Sequence, residues 1–179
     1  MPEVNTSLTE LFRQQGLGAL ARIGAMTAVA AALSNSATAA RQGFLQNVAQ
    51  RGKMWVIKGF EKLEGRVVGS GQCPGIVQSF GGLPLTAQWF EGPKVRGNPY
   101  IPYGTAVATF KSGRYANQKH GNHVAIYISQ NPDKGVLVFD QWTNRPAGYR
   151  YMKFLDGDGT LDPSNNGAAL SIILTPKDG

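Results

Sequence analysis

The alternation of apolar and polar positions changes texture near Gly65. Before it, apolar side chains recur at helical spacing: Leu8, Leu11 and Phe12 share one face, with Thr6 and Ser7 as capping candidates and Glu10 in the first turn. Leu17 to Leu33 is rich in alanine and glycine, with Arg22 its only charge. The stretch 40–63 continues in helical style through Phe44, Leu45, Val48, Trp55, Val56, Phe60 and Leu63. Gly43, Gly52 and Gly59 interrupt it, each costing about 1 kcal/mol relative to alanine inside a helix, so several helices with breaks are expected. After Gly65 short β-like runs stand between Gly, Pro and Asn turns. The predicted strands are Thr105–Phe110, His123–Ser129, Val136–Trp142, Tyr149–Phe154 and Ala168–Leu174, with a short helix from Cys73 to about Phe80.

This pattern divides the chain into a helical N-terminal segment, 1–65, and an α+β domain, 66–179. The 179 residues suit one ordinary domain with a helical extension, and 42% hydrophobic content excludes wholesale disorder. The apolar run Ile23–Leu33 is short for a membrane span, which needs about 20 residues, so no stable span is expected. Arg13 and Arg22 before that run, and Ala37-Thr38-Ala39 after it, give the outline of a secretory signal over residues 1–39. Glu3 and Glu10 in the leading region argue instead for a packing or docking helix. The net charge of +7 is spread as +3 before and +4 after Gly65 without a basic block, which gives no nucleic-acid stripe.

One cysteine excludes an internal disulfide framework and a cysteine-rich zinc site, and leaves a thiol for chemistry. Cys73 stands in Gly69-Ser70-Gly71-Gln72-Cys73-Pro74-Gly75. Proline favours the first helical position, which places Cys73 at the N-cap, where free N–H groups and the helix dipole stabilise a thiolate. Against this stands the ordinary fate of a free cysteine, which is burial without function. A thiol nucleophile needs a base, and there are two histidines. His123 opens the apolar strand His123–Ile128, an anchored backbone with an exposed ring, whereas His120 lies in a polar loop.

A third member follows from register. If Gln130 pairs with Gly135 across the turn Asn131–Lys134, opposed residues sum to 265. His123 then faces Trp142, and Asp140 sits diagonally across on the same face, where it can orient the imidazole. A slip of one residue would turn Asp140 away and leave it a solvated aspartate. Cys73, His120, His123 and Asp140 make a poor zinc set, because the histidine spacing is wrong for a strand and there is one thiolate. Asp156-Gly157-Asp158-Gly159-Thr160-Leu161-Asp162 reads as an acidic turn rather than a calcium loop, since Leu161 stands where an EF-hand needs glycine. Trp89, Phe90, Tyr100 and Tyr103 interleave with Lys94 and Arg96 and suit either a substrate groove or packing.

Gly71-Gln72-Cys73, Pro102-Tyr103-Gly104 with the strand Thr105–Phe110, and Gly121-Asn122-His123 with Val124–Ile128 resemble the ordered motifs of the CHAP and NlpC-type papain-like cysteine amidases. The resemblance covers about 69–154 and is strongest to the small Gram-negative peptidoglycan amidases of the type VI secretion effector kind. Two departures stand out: Pro74 follows the cysteine where a small polar residue is common, and Asn122 splits the glycine–histidine pair. The resemblance implies a papain-like fold in which the helix carrying Cys73 packs on an antiparallel sheet. It implies a nucleophile at Cys73, a base at His123, Asp140 as third member, and Gln72, Trp89 and Trp142 for oxyanion or substrate binding. No metal or cofactor is implied. The implied substrate is a cell-wall peptide, and the implied setting is secretion or delivery to the periplasm, with a secretion-apparatus component and an immunity protein as partners. A non-catalytic wall-binding module of the same fold, and a membrane-acting protein using Leu17–Leu33, are the alternatives.

Overall fold

In the computed structural model a single helix, α1 (Leu8–Arg51), replaces the expected series of broken helices. The structure describes residues 8–157 and 162–177, with 8–25 by backbone alone; the Thr6-Ser7 cap and the centre of the acidic turn lie outside them. Alanine dominates α1, and no proline interrupts the chain between Pro2 and Pro74. High alanine propensity carries the helix through its glycines. It stops at Gly52, where a side chain would strike Phe90 Cζ at 2.6 Å and the Thr175 carbonyl oxygen at 2.7 Å. Two compact units divide within this helix, one ending at Phe44 and the other beginning at Leu45. Met26, Val29 and Leu33 of the first unit are exposed. Among the described residues no helix is long and apolar enough to cross a membrane.

The second unit is built on a seven-stranded antiparallel sheet. Its strands are β1 (Lys53–Met54), β2 (Phe90–Lys94), β3 (Ala106–Thr109), β4 (Val124–Asn131), β5 (Gly135–Trp142), β6 (Arg145–Met152) and β7 (Leu170–Thr175). The path runs β1-β7-β3-β4-β5-β6, with β2 also on β7. Five strands were legible. The two additions, β1 and β2, are short or contain Gly92 and Pro93, and pairing with β7 rather than local pattern makes them strands. The residues 53–63 serve the sheet unit: Ile57, Phe60 and Leu63 join Ile76, Val77, Trp89 and Phe139 in its core. Each fully buried side chain of this size contributes about 1.5–3 kcal/mol.

The Cys73–Phe80 helix forms between the expected ends, as one α-turn, α2 (Cys73–Gly75), continued by a π-helical turn over Ile76–Phe80. Gln72 is its N-cap, so Cys73 is the first helical residue, one place later than expected. The turn into β3 explains the Pro-Tyr-Gly motif. Gly104 has φ +85°, and a Cβ there would lie 2.4 Å from the Ile57 carbonyl oxygen. The glycine lets the 57 and 104 backbones meet, with Ile57 N–H donating to Gly104 O at 2.8 Å.

The β4–β5 hairpin reaches the expected register by an unexpected route. At its closed end Asn131 pairs with Gly135 and Gln130 with Val136, one residue off the expected pairing. A bulge between Tyr127 and Ser129 takes up one residue of β4. Beyond it Tyr127 faces Val138 and Ile126 faces Phe139, which is the register that brings His123 to Asp140.

Candidate active site

Four segments converge on the thiol. The turn 68–72 delivers Cys73 at the start of α2, and Gly69 and Gly71 carry it with φ of +58° and +72°. His123 stands immediately before β4 and Asp140 lies on β5, both buried. The irregular segment after β3 brings Tyr115 against the sulfur. The His123 Nε2 and Asp140 Oδ2 atoms are 2.6 Å apart. With Nε2–H directed at the carboxylate, Nδ1 is the nitrogen left to face the thiol, and the imidazole and the sulfur shift each other's ionisation. Burial pushes the Cys73 thiol up, yet the His123 imidazole, the Tyr115 hydroxyl and the Val124 N–H together bring it below the ordinary thiol range. Burial likewise pushes His123 down, and the Asp140 carboxylate and the Cys73 sulfur raise it above the ordinary imidazole range. The two shifts oppose each other and favour a thiolate–imidazolium pair.

Asp140 is wholly buried and therefore needs compensation. Arg150 Nε donates to its Oδ2 at 2.8 Å, and Arg145 Nη1 approaches Oδ1 at 3.5 Å. Arg150 Nη2 also lies 3.2 Å from His123 Nε2, donor against donor, so the carboxylate beneath both holds the cluster together. Both guanidiniums stack on Trp142, at 4.3 Å for Arg145 and 4.8 Å for Arg150. The Trp142 ring meets His123 edge-on with centroids 6.1 Å apart.

A cleft of about 510 Å³ opens over the sulfur, lined by Gln72, Cys73, the 118–123 loop, Trp142, Arg150 and Asn165. A second depression shares Gln72, Trp142 and Thr143 with it and runs on past Gly71 and Arg145. Cys73 is thus half-buried at the first cleft, with the second depression beside it. Gln72 and Trp142, expected to serve oxyanion or substrate binding, line the cleft. Trp89 does not: it is fully buried, its Nε1–H donates to the Pro84 carbonyl at 3.0 Å, and its ring packs on Tyr115 with centroids 5.3 Å apart. With its polar edge satisfied inside the chain, the indole belongs to the core, and the expectation of a groove residue is corrected. Tyr103 is half-exposed and donates to Glu61 Oε1 at 2.6 Å, away from the groove residues named above. Of the acidic turn, Asp156 pairs with Arg96, and Asp162 caps Ser164 N at 2.9 Å. Among the described residues no group of three or more His, Cys, Asp and Glu side chains is arranged to hold a metal ion.

Three supporting side chains were not singled out as site residues from the sequence. Gln141, fully buried, reaches from β5 to the turn that carries Cys73. Its Nε2 donates to Val68 O at 2.7 Å and Gln72 O at 2.9 Å, and its Oε1 accepts from Val68 N at 3.0 Å. Gly75 allows this approach, since a Cβ there would meet Val68 O at 2.8 Å and Gln141 Nε2 at 3.2 Å. Arg150 and Tyr115 are the others. Alternation placed Arg150 on a strand, but nothing local marked its partner.

The family model described as domesticated amidase effector 2 matches residues 44–173. The type VI secretion amidase effector 2 protein of Salmonella typhi is 36% identical over 112 residues, which is 57% of this chain and 84% of that protein. Domesticated amidase effector 2 of Ixodes scapularis is 37% identical over 84 residues, 46% of this chain and 54% of that one. A solved structure of type 6 secretion amidase effector 2 superposes with a TM-score of 0.62 at 32% identity, covering 68% of this chain and 94% of the other. The matched span holds Cys73, His123, Asp140 and all the side chains that contact them.

Proposed function

The chain belongs to the domesticated amidase effector 2 family, and from that membership and the geometry of the cleft we propose that it is a cysteine amidase, hydrolysing an amide bond of the cell-wall peptide as a secreted antibacterial effector. The observation that carries the mechanism is the convergence of the Cys73 sulfur, the His123 imidazole and the Asp140 carboxylate at an open cleft. The thiolate attacks the amide carbonyl and forms an S–C bond. His123 then gives its proton to the departing nitrogen as the C–N bond breaks. Water enters, His123 takes its proton, and the carboxylate product leaves as the S–C bond breaks. Asp140 holds the imidazole with Nε2–H inward and supports its charge. The cleft and the depression beside it offer the acyl and amine halves of the substrate separate places. The effector names of the relatives support delivery to a target cell and, with it, a secretion-apparatus component and an immunity protein as partners. The periplasm, where wall peptide is exposed, is the compartment this chemistry requires.

Incubation of the purified chain with peptidoglycan fragments, followed by mass spectrometry, tests the reading. A defined amide cut is expected, lost in Cys73→Ala and in His123→Ala. Cutting retained by Cys73→Ala refutes the mechanism. Saturable binding without product would favour a wall-binding module, and leakage of vesicle contents by Cys73→Ala would favour membrane action through Leu17–Leu33.

A further inference from the structure

The thiol has a second side-chain partner, and its hydrogen-bond polarity is fixed from outside. Tyr115 Oη lies 3.9 Å from Cys73 Sγ, within the range of hydrogen bonds to sulfur. The same oxygen accepts from Asn122 Nδ2 at 3.2 Å. The Asn122 amide is itself oriented, because its Oδ1 accepts from the Gln118 backbone N–H at 2.6 Å, which turns Nδ2 toward Tyr115. A hydroxyl whose oxygen already accepts a bond has its proton free for another partner, and a thiolate can only accept. The polarity therefore runs one way, from Gln118 N–H to Asn122 Oδ1, from Asn122 Nδ2–H to Tyr115 Oη, and from Tyr115 Oη–H to Cys73 Sγ. We infer that Tyr115 is a further catalytic residue, whose hydroxyl donates a second hydrogen bond to the reacting sulfur, and that Asn122 is the positioning residue that holds it in that sense.

This inference rests on Cys73 being the nucleophile and deepens that reading. The tyrosine is suited to the task. Burial and the neighbouring sulfur push its phenol far above the ordinary range, so its proton is present at every working pH. Its ring is wedged against Trp89, which gives that buried indole a role behind the site. Asn122, which splits the glycine–histidine pair of the motif, gains a reason to be there: it lines the cleft and reaches back to the hydroxyl. Other charged groups stand around the sulfur. The His123 imidazole shifts its ionisation, Asp140 and Arg150 stand behind the imidazole, and Lys119 and His120 border the cleft. None of them donates to Tyr115, so removing the hydroxyl leaves their arrangement as it is.

The test is the rate of iodoacetamide alkylation of the full chain against pH, without substrate. The midpoint of the rising limb reports the sulfur's ionisation, whereas the plateau also depends on intrinsic nucleophilicity. Tyr115→Phe keeps the ring against Trp89 and removes the donor. The midpoint is expected to rise by about one pH unit, a tenfold loss of thiolate below it, the low end of what a bond to an ionised group is worth and in keeping with the long contact to sulfur. Asn122→Ala is expected to move the midpoint in the same direction in the parent chain, and by nothing in the Tyr115→Phe background, because its effect passes through the hydroxyl. An unchanged midpoint in Tyr115→Phe, with the melting temperature preserved, overturns the inference while leaving the cysteine mechanism intact. A shift from Asn122→Ala that persists without the hydroxyl overturns the positioning role. A parent thiol that titrates like a free cysteine removes the mechanism beneath both.

Discussion

Replacing Gln141 by leucine separates the support of the site from its chemistry. The substitution keeps the side-chain volume nearly constant and adds no charge, but it deletes three hydrogen bonds that tie β5 to the turn before Cys73. A hydrogen bond is worth about 1 kcal/mol net when its partners can return to water, and the loss rises to roughly 1–3 kcal/mol per group when they cannot. Gln72 is exposed, so its carbonyl rehydrates and costs about 1 kcal/mol. Val68 is half-buried: its N–H loses its partner at about 1–2 kcal/mol, while its C=O keeps the Gly71 N–H and costs about 1 kcal/mol. The apolar gain of leucine at a fully buried position offsets about 1 kcal/mol of this. The expected net loss is therefore about 2–3 kcal/mol. It is measured as the change in urea midpoint at constant slope, followed by tryptophan fluorescence.

Activity should fall further than stability alone dictates. At low urea the variant is still folded, yet Cys73 has lost the strut that fixes it against His123. Displacements of about 1 Å at a reacting atom cost on the order of 10²-fold in rate. The alkylation rate at neutral pH should fall with it, because the imidazole no longer meets the sulfur squarely. A stability loss under about 1 kcal/mol, together with unchanged alkylation, would show that the turn holds Cys73 without Gln141 and would refute the reasoning.

Asp140→Asn should leave Arg145 and Arg150 facing the imidazole with no carboxylate between them. His123 then loses its main stabiliser as a cation, the thiolate fraction at neutral pH drops, and hydrolysis should fall roughly 10³-fold; a fall of less than about tenfold would mean that Asp140 is structural only. In linkage terms, the lowered Cys73 contributes stability above the unfolded thiol's pKa and loses it as pH falls through the folded value. The raised His123 contributes below the unfolded imidazole's pKa and loses it as pH rises through the folded value. The activity profile should accordingly bracket neutrality, rising with the Cys73 thiolate and falling with the loss of the His123 imidazolium, with Asp140→Asn narrowing the bracket from the alkaline side. Gly104→Ala places a Cβ 2.4 Å from the Ile57 carbonyl at a positive φ, and should cost at least about 2 kcal/mol in urea unfolding; a neutral result would mean that the 57–104 contact is free to open.

The side chains that converge in the cleft were legible because each sits at a local boundary that sequence marks: a proline-initiated helix for Cys73, the head of an apolar strand for His123. Asp140 was reached through a pairing that is wrong at the hairpin tip and right at the site. The tip closes one residue further out, and the β4 bulge returns that residue before the strand reaches His123. A bulge leaves no mark in the alternation of a strand buried on both faces, as Val124–Tyr127 is, so the correct face followed from two displacements that cancel. The supports were illegible for a related reason. A second bulge, between Asp140 and Trp142, lies where two successive side chains, Asp140 and Gln141, are both fully buried and serve different partners. Alternation predicts that one of such a pair faces solvent. Here the carboxylate meets a histidine and two arginines, while the amide meets a turn some seventy residues earlier in the chain.

Trp89 makes the same point from the other side. An aromatic residue among basic ones looks like the wall of a groove, but an indole whose N–H is taken by a carbonyl five residues away has no reason to stay at the surface. Buried, it presses on Tyr115, whose hydroxyl faces the sulfur. The residue expected as a substrate contact therefore sits one layer behind the thiol, against the ring it supports, and Trp89→Ala should loosen that ring and weaken the thiol's second contact, read as a rise in the alkylation midpoint, without touching the cleft wall.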